Sequence, residues 1–167
     1  MQKQVEYAEA VRTKYPEQVV IAIAKDRTGR ANPVTLGWTM FASGNPLMMA
    51  IAVAAGHYTV KAIEHSKCFT IAYPCAEMAG DALFFGSHSG RDTDKFAESN
   101  CEIEPARQID SVLLSDAVAN FECIEESRLP AGDHIIYIGR VVAAHINTEP
   151  RKRLYTVAAG HKMGPVV

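Results

Sequence analysis

Short apolar runs separated by turns are the main feature of the hydrophobic pattern. Several runs are rich in β-branched residues, and glycine, proline or asparagine occurs between them, which is typical of strands joined by hairpins. The runs that predict strands lie at residues 19–24, 31–41, 47–54, 68–73, 117–124 and 134–146. The turn-rich segment 126–133 is expected to be a loop between the last two strands.

Helical periodicity is confined to short segments between these runs. Apolar residues at spacings of three and four predict an amphipathic helix over residues 2–15, and Thr59 is placed to cap a helix over 60–66. Further helices are predicted over 75–86 and around 94–96. Hairpin-linked strands with inserted helices predict a mainly β fold of the barrel type and not a βαβ sandwich.

Composition limits the classes of protein to consider. With 167 residues, 48% hydrophobic and 22% charged, the chain suits a single domain over residues 1–167 with a real core. The net charge is −2 and no basic stripe is present, which argues against a nucleic-acid partner. The first ten residues lack an apolar signal segment, and the longest apolar run falls short of the ~20 residues of a membrane span. We therefore expect a cytoplasmic protein without membrane contact.

Several well-known chemical motifs are missing from the sequence. No C-x-x-C pair joins the four cysteines, so we expect reduced, mostly buried thiols and no metal site. The dinucleotide fingerprint G-x-G-x-x-G and the P-loop are absent, as are H-E-x-x-H and G-x-S-x-G. Rossmann, P-loop, metalloprotease and α/β-hydrolase functions therefore lack their central residues.

Two polar clusters interrupt the apolar pattern in the first half of the chain. Residues 32–39 read N-P-V-T-L-G-W-T, where a small residue beside hydroxyls allows main chain to approach a flat ligand; an ordinary strand with Trp38 in the core is the alternative. Residues 56–59 read G-H-Y-T at a strand-to-helix junction, where free N–H groups suit a phosphate. A simple cap at Thr59 with a loop residue at His57 explains them equally well.

A third polar cluster, S-G-R-D-T-D-K-F, covers residues 89–96. Its Ser-Gly turn opens a predicted short helix with two cations, Arg91 and Lys95, four residues apart. Such an arrangement binds an anion through main-chain donors and charge. The alternative is a solvated helix start in which these cations pair with Asp92 and Asp94.

Together with G-D-H at 132–134, these clusters resemble the flavin reductase-like family of FMN-binding split β-barrels, in particular its flavoredoxin and ferric-reductase-like branch. The resemblance covers roughly residues 15 to 145. It implies a split barrel whose isoalloxazine site and main-chain contacts come from two strands, and whose phosphate and ribityl site comes from the other clusters. The implied cofactor-binding residues are Thr35, Leu36, Gly37, Trp38, Thr39, Ala52, Val53, Ala54, His57, Thr59, Ser89, Gly90, Arg91 and Lys95.

The resemblance also implies an activity. The expected protein is an FMN-dependent oxidoreductase, an NAD(P)H:flavin or flavin-mediated ferric reductase, with FAD as an alternative cofactor, NAD(P)H as the transient donor and His134 contacting the nicotinamide. A histidine that merely begins a strand is the alternative for His134. A homodimer with the flavin near its seam, and an electron-acceptor protein, are the implied partners.

Three questions stay open from the sequence. The same fold serves a non-enzymatic FMN electron carrier or, without flavin, a haem- or ligand-binding module, and a visible spectrum separates these classes. The physiological acceptor is not indicated. Residues 151–167 have no strong periodicity, and they could cover the flavin, swap onto a partner or hang free.

Overall fold

A seven-stranded antiparallel sheet forms the centre of the protein. The computed structural model describes residues 1–166. The helices are α1 (Tyr7–Ala10), α2 (Tyr58–Ser66) and α3 (Ala79–Ser87), with 3₁₀ turns at Val11–Lys14 and Ala76–Met78. The strands are β1 (Glu17–Gln18), β2 (Val20–Lys25), β3 (Ala31–Leu36), β4 (Thr39–Gly44), β5 (Leu47–Ala54), β6 (Cys68–Tyr73), β7 (Ile103–Pro105), β8 (Val112–Leu114), β9 (Ala119–Ala131), β10 (His134–Ile146), β11 (Tyr155–Ala158) and β12 (Lys162–Gly164).

The main sheet curls around one core. Its strand order is β3-β2-β6-β9-β10-β5-β4, so β3 and β5 stand near opposite ends of the sheet. Val34 of β3 and Ile51 of β5 nevertheless belong to the same buried cluster, together with Ile63 of α2. A sheet whose distant strands share a core is curved into a barrel, and the predicted mainly β fold with inserted helices is confirmed.

Strand β2 is buried on both faces, which explains its uninterrupted apolar sequence. Val20 and Ala22 point into the barrel core, whereas Ile21 and Ile23 alternate to the opposite face. There they meet Phe85 of α3, so a second core fixes this helix to the outside of the sheet. The loop after α3 is thereby held beside β3.

The predicted loop at 126–133 is wrong, because β9 continues to Ala131. Strand β10 begins at His134, and Gly132 turns the chain with a φ of 63°, which glycine adopts at little cost. Residues 126–130 are exposed and are held by the ladder to β10. Because neither face of this segment is buried, its sequence does not alternate between apolar and polar residues, and the strand cannot be recognised from the sequence.

Three local predictions in the first half of the chain also need correction. The helix predicted over 2–15 is confined to 7–14 and contains no buried residue. The predicted strand 31–41 is broken at Gly37 and Trp38, between β3 and β4. Helix α2 begins at Tyr58 with His57 as its N-cap, so Thr59 lies inside the helix and is not its cap.

The predicted helix around 94–96 is also wrong, since this segment forms only turns. Residues 151–167, left open by the sequence, contain the β11–β12 hairpin, which pairs with β1 through Glu17↔Thr156 and Gln18↔Tyr155; Val167 lies outside the described residues. Of the four free cysteines, Cys68, Cys75 and Cys123 are buried, as expected for most of them. No helix in residues 1–166 is both long and apolar enough to span a membrane.

Candidate functional site

Two adjoining cavities lie where β3, the start of α2 and the end of α3 meet. The large cavity has a volume of about 430 Å³ and the polar cavity about 240 Å³. His57, Gly86 and Ser87 line both. The two cavities therefore form one continuous candidate site.

The large cavity is built around the break between β3 and β4. Thr35 Oγ1 donates a hydrogen bond to the Ala82 carbonyl at 2.6 Å, which fixes the strand to α3. At Gly37 an added Cβ would lie 2.9 Å from the Glu17 carboxyl carbon, so a larger residue would require the Glu17 side chain to move. The small residues Ala52, Ala82 and Gly86 also line the cavity, so main chain forms part of its wall.

Trp38 and His134 form one edge of the large cavity. Their ring centroids are 4.6 Å apart and the planes are tilted by 38°. Trp38 is 52% exposed, so it does not lie in the core. His134 Nδ1 donates to Asp133 Oδ1 at 2.6 Å, and this bond holds the pKa of Asp133 below its usual value. The imidazole is therefore held in place from both sides.

Lys95 is the unexpected member of the polar cavity. It is only 3% exposed, and its Nζ donates to the carbonyls of Pro33 and Phe85, both at 2.8 Å. Burial lowers the pKa of Lys95 to about 8. The expectation of two cations on one helical face is wrong: Lys95 turns inward while Arg91 stays exposed, and two of the three ammonium donors are already used.

Asn32, Thr59 and Gly90 make the tightest contact of the polar cavity. Asn32 Nδ2 donates to Thr59 Oγ1 at 2.9 Å, and Asn32 Oδ1 is a buried acceptor with no partner among the described residues. A Cβ added at Gly90 would lie 1.8 Å from that oxygen. Partial burial lowers the pKa of His57, and the charges of Lys95 and His134 lower it further.

A buried carboxylate behind the polar cavity was not singled out from the sequence. Asp26 is 3% exposed and accepts hydrogen bonds from Thr28, Arg30 and the Tyr58 hydroxyl. Burial opposes ionisation, yet these donors lower the pKa of Asp26 to about 2. In the sequence it reads as a solvent-facing residue of a hairpin turn, and only its partner Tyr58, from a distant segment, distinguishes it.

Most of the predicted site residues converge here. Those lining the large cavity are Thr35, Leu36, Gly37, Trp38, Ala52, His57 and His134; those lining the polar cavity are His57, Thr59, Ser89, Gly90, Arg91 and Lys95. Thr39 lies instead on an open neighbouring groove of about 590 Å³. Val53 and Ala54 line neither cavity, and the Val53 side chain is fully buried in the barrel core.

The sequence also missed a wall of the large cavity. Lys14 and Tyr15 before β1, and His161 and Met163 of the terminal hairpin, line it together with Thr156. These residues come from segments that carry no recognisable motif. Their position depends on the pairing of β1 with β11, which has no local signal in the chain. Among the described residues, no group of three or more His, Cys, Asp or Glu side chains is arranged to hold a metal ion.

Comparison with known proteins identifies the class. The flavin reductase like domain matches residues 11–163, and the chain belongs to this family. It is 31% identical over 112 residues to the NADH-dependent FMN reductase AsuE2 of Streptomyces nodosus subsp. asukaensis, an alignment that covers 67% of this chain and 60% of that protein.

Solved structures agree on the fold. Flavoredoxin of Desulfovibrio vulgaris (Miyazaki F) superposes with a TM-score of 0.86 at 20% identity, covering 100% of this chain and 94% of that one. The FMN-binding protein from Thermus thermophilus gives 0.84 at 19% identity, with coverages of 99% and 94%. The fold is therefore the FMN-binding split barrel that the motifs of the sequence resemble.

Proposed function

We propose that the chain, as a single domain over residues 1–167, is an FMN-dependent oxidoreductase that takes electrons from NAD(P)H and delivers them to free flavin, a ferric complex or an acceptor protein. The observation that carries this proposal is the pair of joined cavities. One is walled by small residues and main chain, and the other by donors and a buried ammonium group. FMN has the same division into a flat ring and an anionic tail.

The polar cavity suits the ribityl phosphate. Lys95 keeps one ammonium donor beyond its two carbonyl partners, and Arg91 and the hydroxyl of Ser89 line the same space. Asn32 Oδ1 is a buried acceptor for which the described residues supply no donor, and the hydroxyls of a ribityl chain are donors. The residues present therefore match both the charge and the hydrogen-bonding needs of this half of FMN.

The large cavity suits the ring. The main chain of Thr35, Leu36 and Gly37 lies close to the cavity. The Ala52 N–H donates a hydrogen bond to the Trp38 carbonyl. Beyond Ala52, strand β5 is no longer paired with β4. Ala54 is proposed to contribute through this free main-chain edge, whereas the main-chain groups of Val53 face β10, with which Val53 pairs at Ile135. Bound FMN would supply the two-electron redox chemistry that links a nicotinamide to an acceptor. The chain binds and orients the reactants, so it needs no acid–base pair of its own.

His134 is proposed to contact the nicotinamide. It lines the large cavity, and its Nδ1 bond to Asp133 fixes the tautomer and the ring orientation. The indole of Trp38 packs against the imidazole, with 4.6 Å between the ring centroids. This arrangement supports a role in placing the donor, which is separate from holding the flavin.

A homodimer is proposed to cover the outer face of β4. Met40 is 62% exposed and lines an open groove beside the large cavity together with Trp38 and Ala52. Phe41, the next residue, points to the opposite face of β4 and contacts Phe121. A large exposed apolar side chain beside an open groove favours association. Thr39 would then reach the flavin region at the seam between two copies.

The test combines a spectrum with steady-state kinetics. Protein incubated with FMN and desalted should keep a flavin absorbance and gain thermal stability, and it should oxidise NADH or NADPH in an FMN-dependent manner. Flavin retention without nicotinamide turnover would replace the reductase by an electron carrier. No absorbance and no stabilisation with FMN or FAD would contradict the flavin site altogether.

A further inference from the structure

Asp26 occupies the centre of a hydrogen-bond network behind the polar cavity. Its Oδ1 accepts from the Thr28 amide at 2.8 Å, the Thr28 hydroxyl at 2.6 Å and the Arg30 amide at 3.2 Å. Its Oδ2 accepts from the Tyr58 hydroxyl at 3.0 Å and lies 3.5 Å from Arg30 Nε. A carboxylate with this many donors fixes all of them relative to one another.

Two of these partners lead to Gly90. Arg30 Nη2 donates to the Gly90 carbonyl, and the Tyr58 ring lies so close that a Cβ added at Gly90 would be 3.2 Å from Tyr58 Cδ1. Tyr58 is also the first residue of α2, between the cavity residues His57 and Thr59. Through Arg30 and Tyr58, the Asp26 side chain thus connects the β2–β3 turn with the start of α2 and with the loop after α3.

We propose that Asp26 is a positioning residue that shapes the polar cavity and thereby sets the preference of the chain for phosphorylated over unphosphorylated flavin. Asp26 is not among the residues lining the cavity, so it acts through Arg30, Tyr58 and Gly90. The inference rests on the proposed flavin site. It names Asp26 as the residue on which the choice between a phosphorylated and an unphosphorylated flavin depends.

The sign of the effect separates positioning from simple electrostatics. Asp26 stays ionised at working pH, because its pKa is about 2, and a negative charge near a phosphate opposes binding. If charge alone mattered, neutralising Asp26 would strengthen FMN binding. If Asp26 acts by holding Arg30 and Tyr58, the same change weakens FMN binding, because the donors of the cavity lose their fixed arrangement.

The experiment measures the affinity of FMN and of riboflavin for three proteins by quenching of flavin fluorescence. They are wild type, Asp26→Asn and the control Asp110→Asn, in which an exposed carboxylate bonded to Lys25 is neutralised away from the cavities. Wild type should bind FMN more tightly than riboflavin. Asp26→Asn should bind FMN about tenfold more weakly, which corresponds to the loss of about one hydrogen bond to a charged group. Its affinity for riboflavin should be unchanged. Asp110→Asn should match wild type for both ligands.

A milder variant keeps the test decisive if Asp26→Asn does not fold. Tyr58→Phe removes only the hydroxyl that donates to Asp26, and it should shift the FMN-to-riboflavin ratio in the same direction by a smaller factor. An unchanged ratio, an equal loss for both ligands, or tighter FMN binding would overturn the role of Asp26. A wild-type protein that binds no flavin would instead overturn the proposed function and this inference with it.

Discussion

The indole of Trp38 stacks on the imidazole of His134 with 4.6 Å between the ring centroids. Trp38 ends the interruption between β3 and β4, and His134 begins β10 after the Gly132 turn. Strand β5 lies between β4 and β10 in the sheet, so the contact passes over it. The only tryptophan of the chain is therefore also a reporter on the large cavity.

His134→Ala should slow nicotinamide oxidation without weakening FMN binding. Loss of one polar contact to the donor costs about 1 kcal/mol, so kcat/KM for NADH or NADPH should fall about fivefold. The measurement is steady-state oxidation at saturating FMN, alongside an FMN titration. His65→Ala, at an exposed position of α2, is the control. A parallel loss of FMN affinity would move His134 from the donor site to the flavin site.

FMN affinity should fall as the pH rises from about 7 to about 9. Lys95 has a pKa of about 8, and its neutral amine attracts a phosphate less than the ammonium does. His57, with its lowered pKa, is already neutral over this range. Titrations of FMN and riboflavin across the range test this: riboflavin affinity should stay flat, and in Lys95→Met the pH dependence should disappear.

Stability should move in the opposite direction. The unfolded lysine keeps a pKa near 10.5, so between about pH 8 and pH 10.5 the unfolded chain binds more protons than the folded one and the free energy of unfolding rises. Denaturant unfolding of protein without flavin at several pH values measures this. A fall in stability that follows the fall in affinity would mean that the fold, rather than the ammonium charge, governs binding.

Gly90→Ala should abolish FMN binding and lower the melting temperature. The added Cβ would lie 1.8 Å from Asn32 Oδ1, and overpacking of this kind costs about 1–3 kcal/mol. Thermal unfolding and an FMN titration are the measurements. Gly44→Ala, where an added Cβ meets nothing within 4 Å, should stay close to wild type. Normal binding by Gly90→Ala would mean that the polar cavity is not the phosphate site.

Met40→Glu should convert a homodimer into monomers. Met40 is 62% exposed and lines the open groove beside the large cavity, and a charge buried at an interface without a partner is strongly unfavourable. Sedimentation velocity measures the outcome. Ile103→Glu, at an exposed position of the separate β7–β8 sheet, is the control. A monomeric wild-type protein would contradict the proposed dimer.

Strands with a buried face could be predicted from the sequence, and those without one could not. The runs at 47–54 and 68–73 match β5 and β6 residue for residue, because apolar side chains must be buried on at least one side. The sequence does not predict the strand at residues 126–131, because this strand is held by hydrogen bonds to β10 and by the exposed pair of Glu126 and Arg140. An exposed strand that is held only by polar contacts has no alternating apolar pattern in its sequence.

The sequence likewise predicts some residues of the candidate site and not others. The clusters around Thr35, His57 and Gly90 could be found because glycines, hydroxyls and an imidazole are unusual between apolar runs. The inward turn of Lys95 could not, since its carbonyl partner Pro33 is 62 positions away. For that reason Lys95→Ala should lower stability as well as flavin affinity, because removing the buried ammonium leaves the carbonyls of Pro33 and Phe85 without this donor.

The terminal hairpin lies outside the seven-stranded sheet and still supplies His161 and Met163 to the wall of the large cavity. Substitutions on its cavity side can alter the shape and polarity of that wall without disturbing the barrel or the residues around Gly90. Under the proposed function, this one peripheral segment is therefore a place where substitutions would change acceptor preference while the polar cavity keeps its shape.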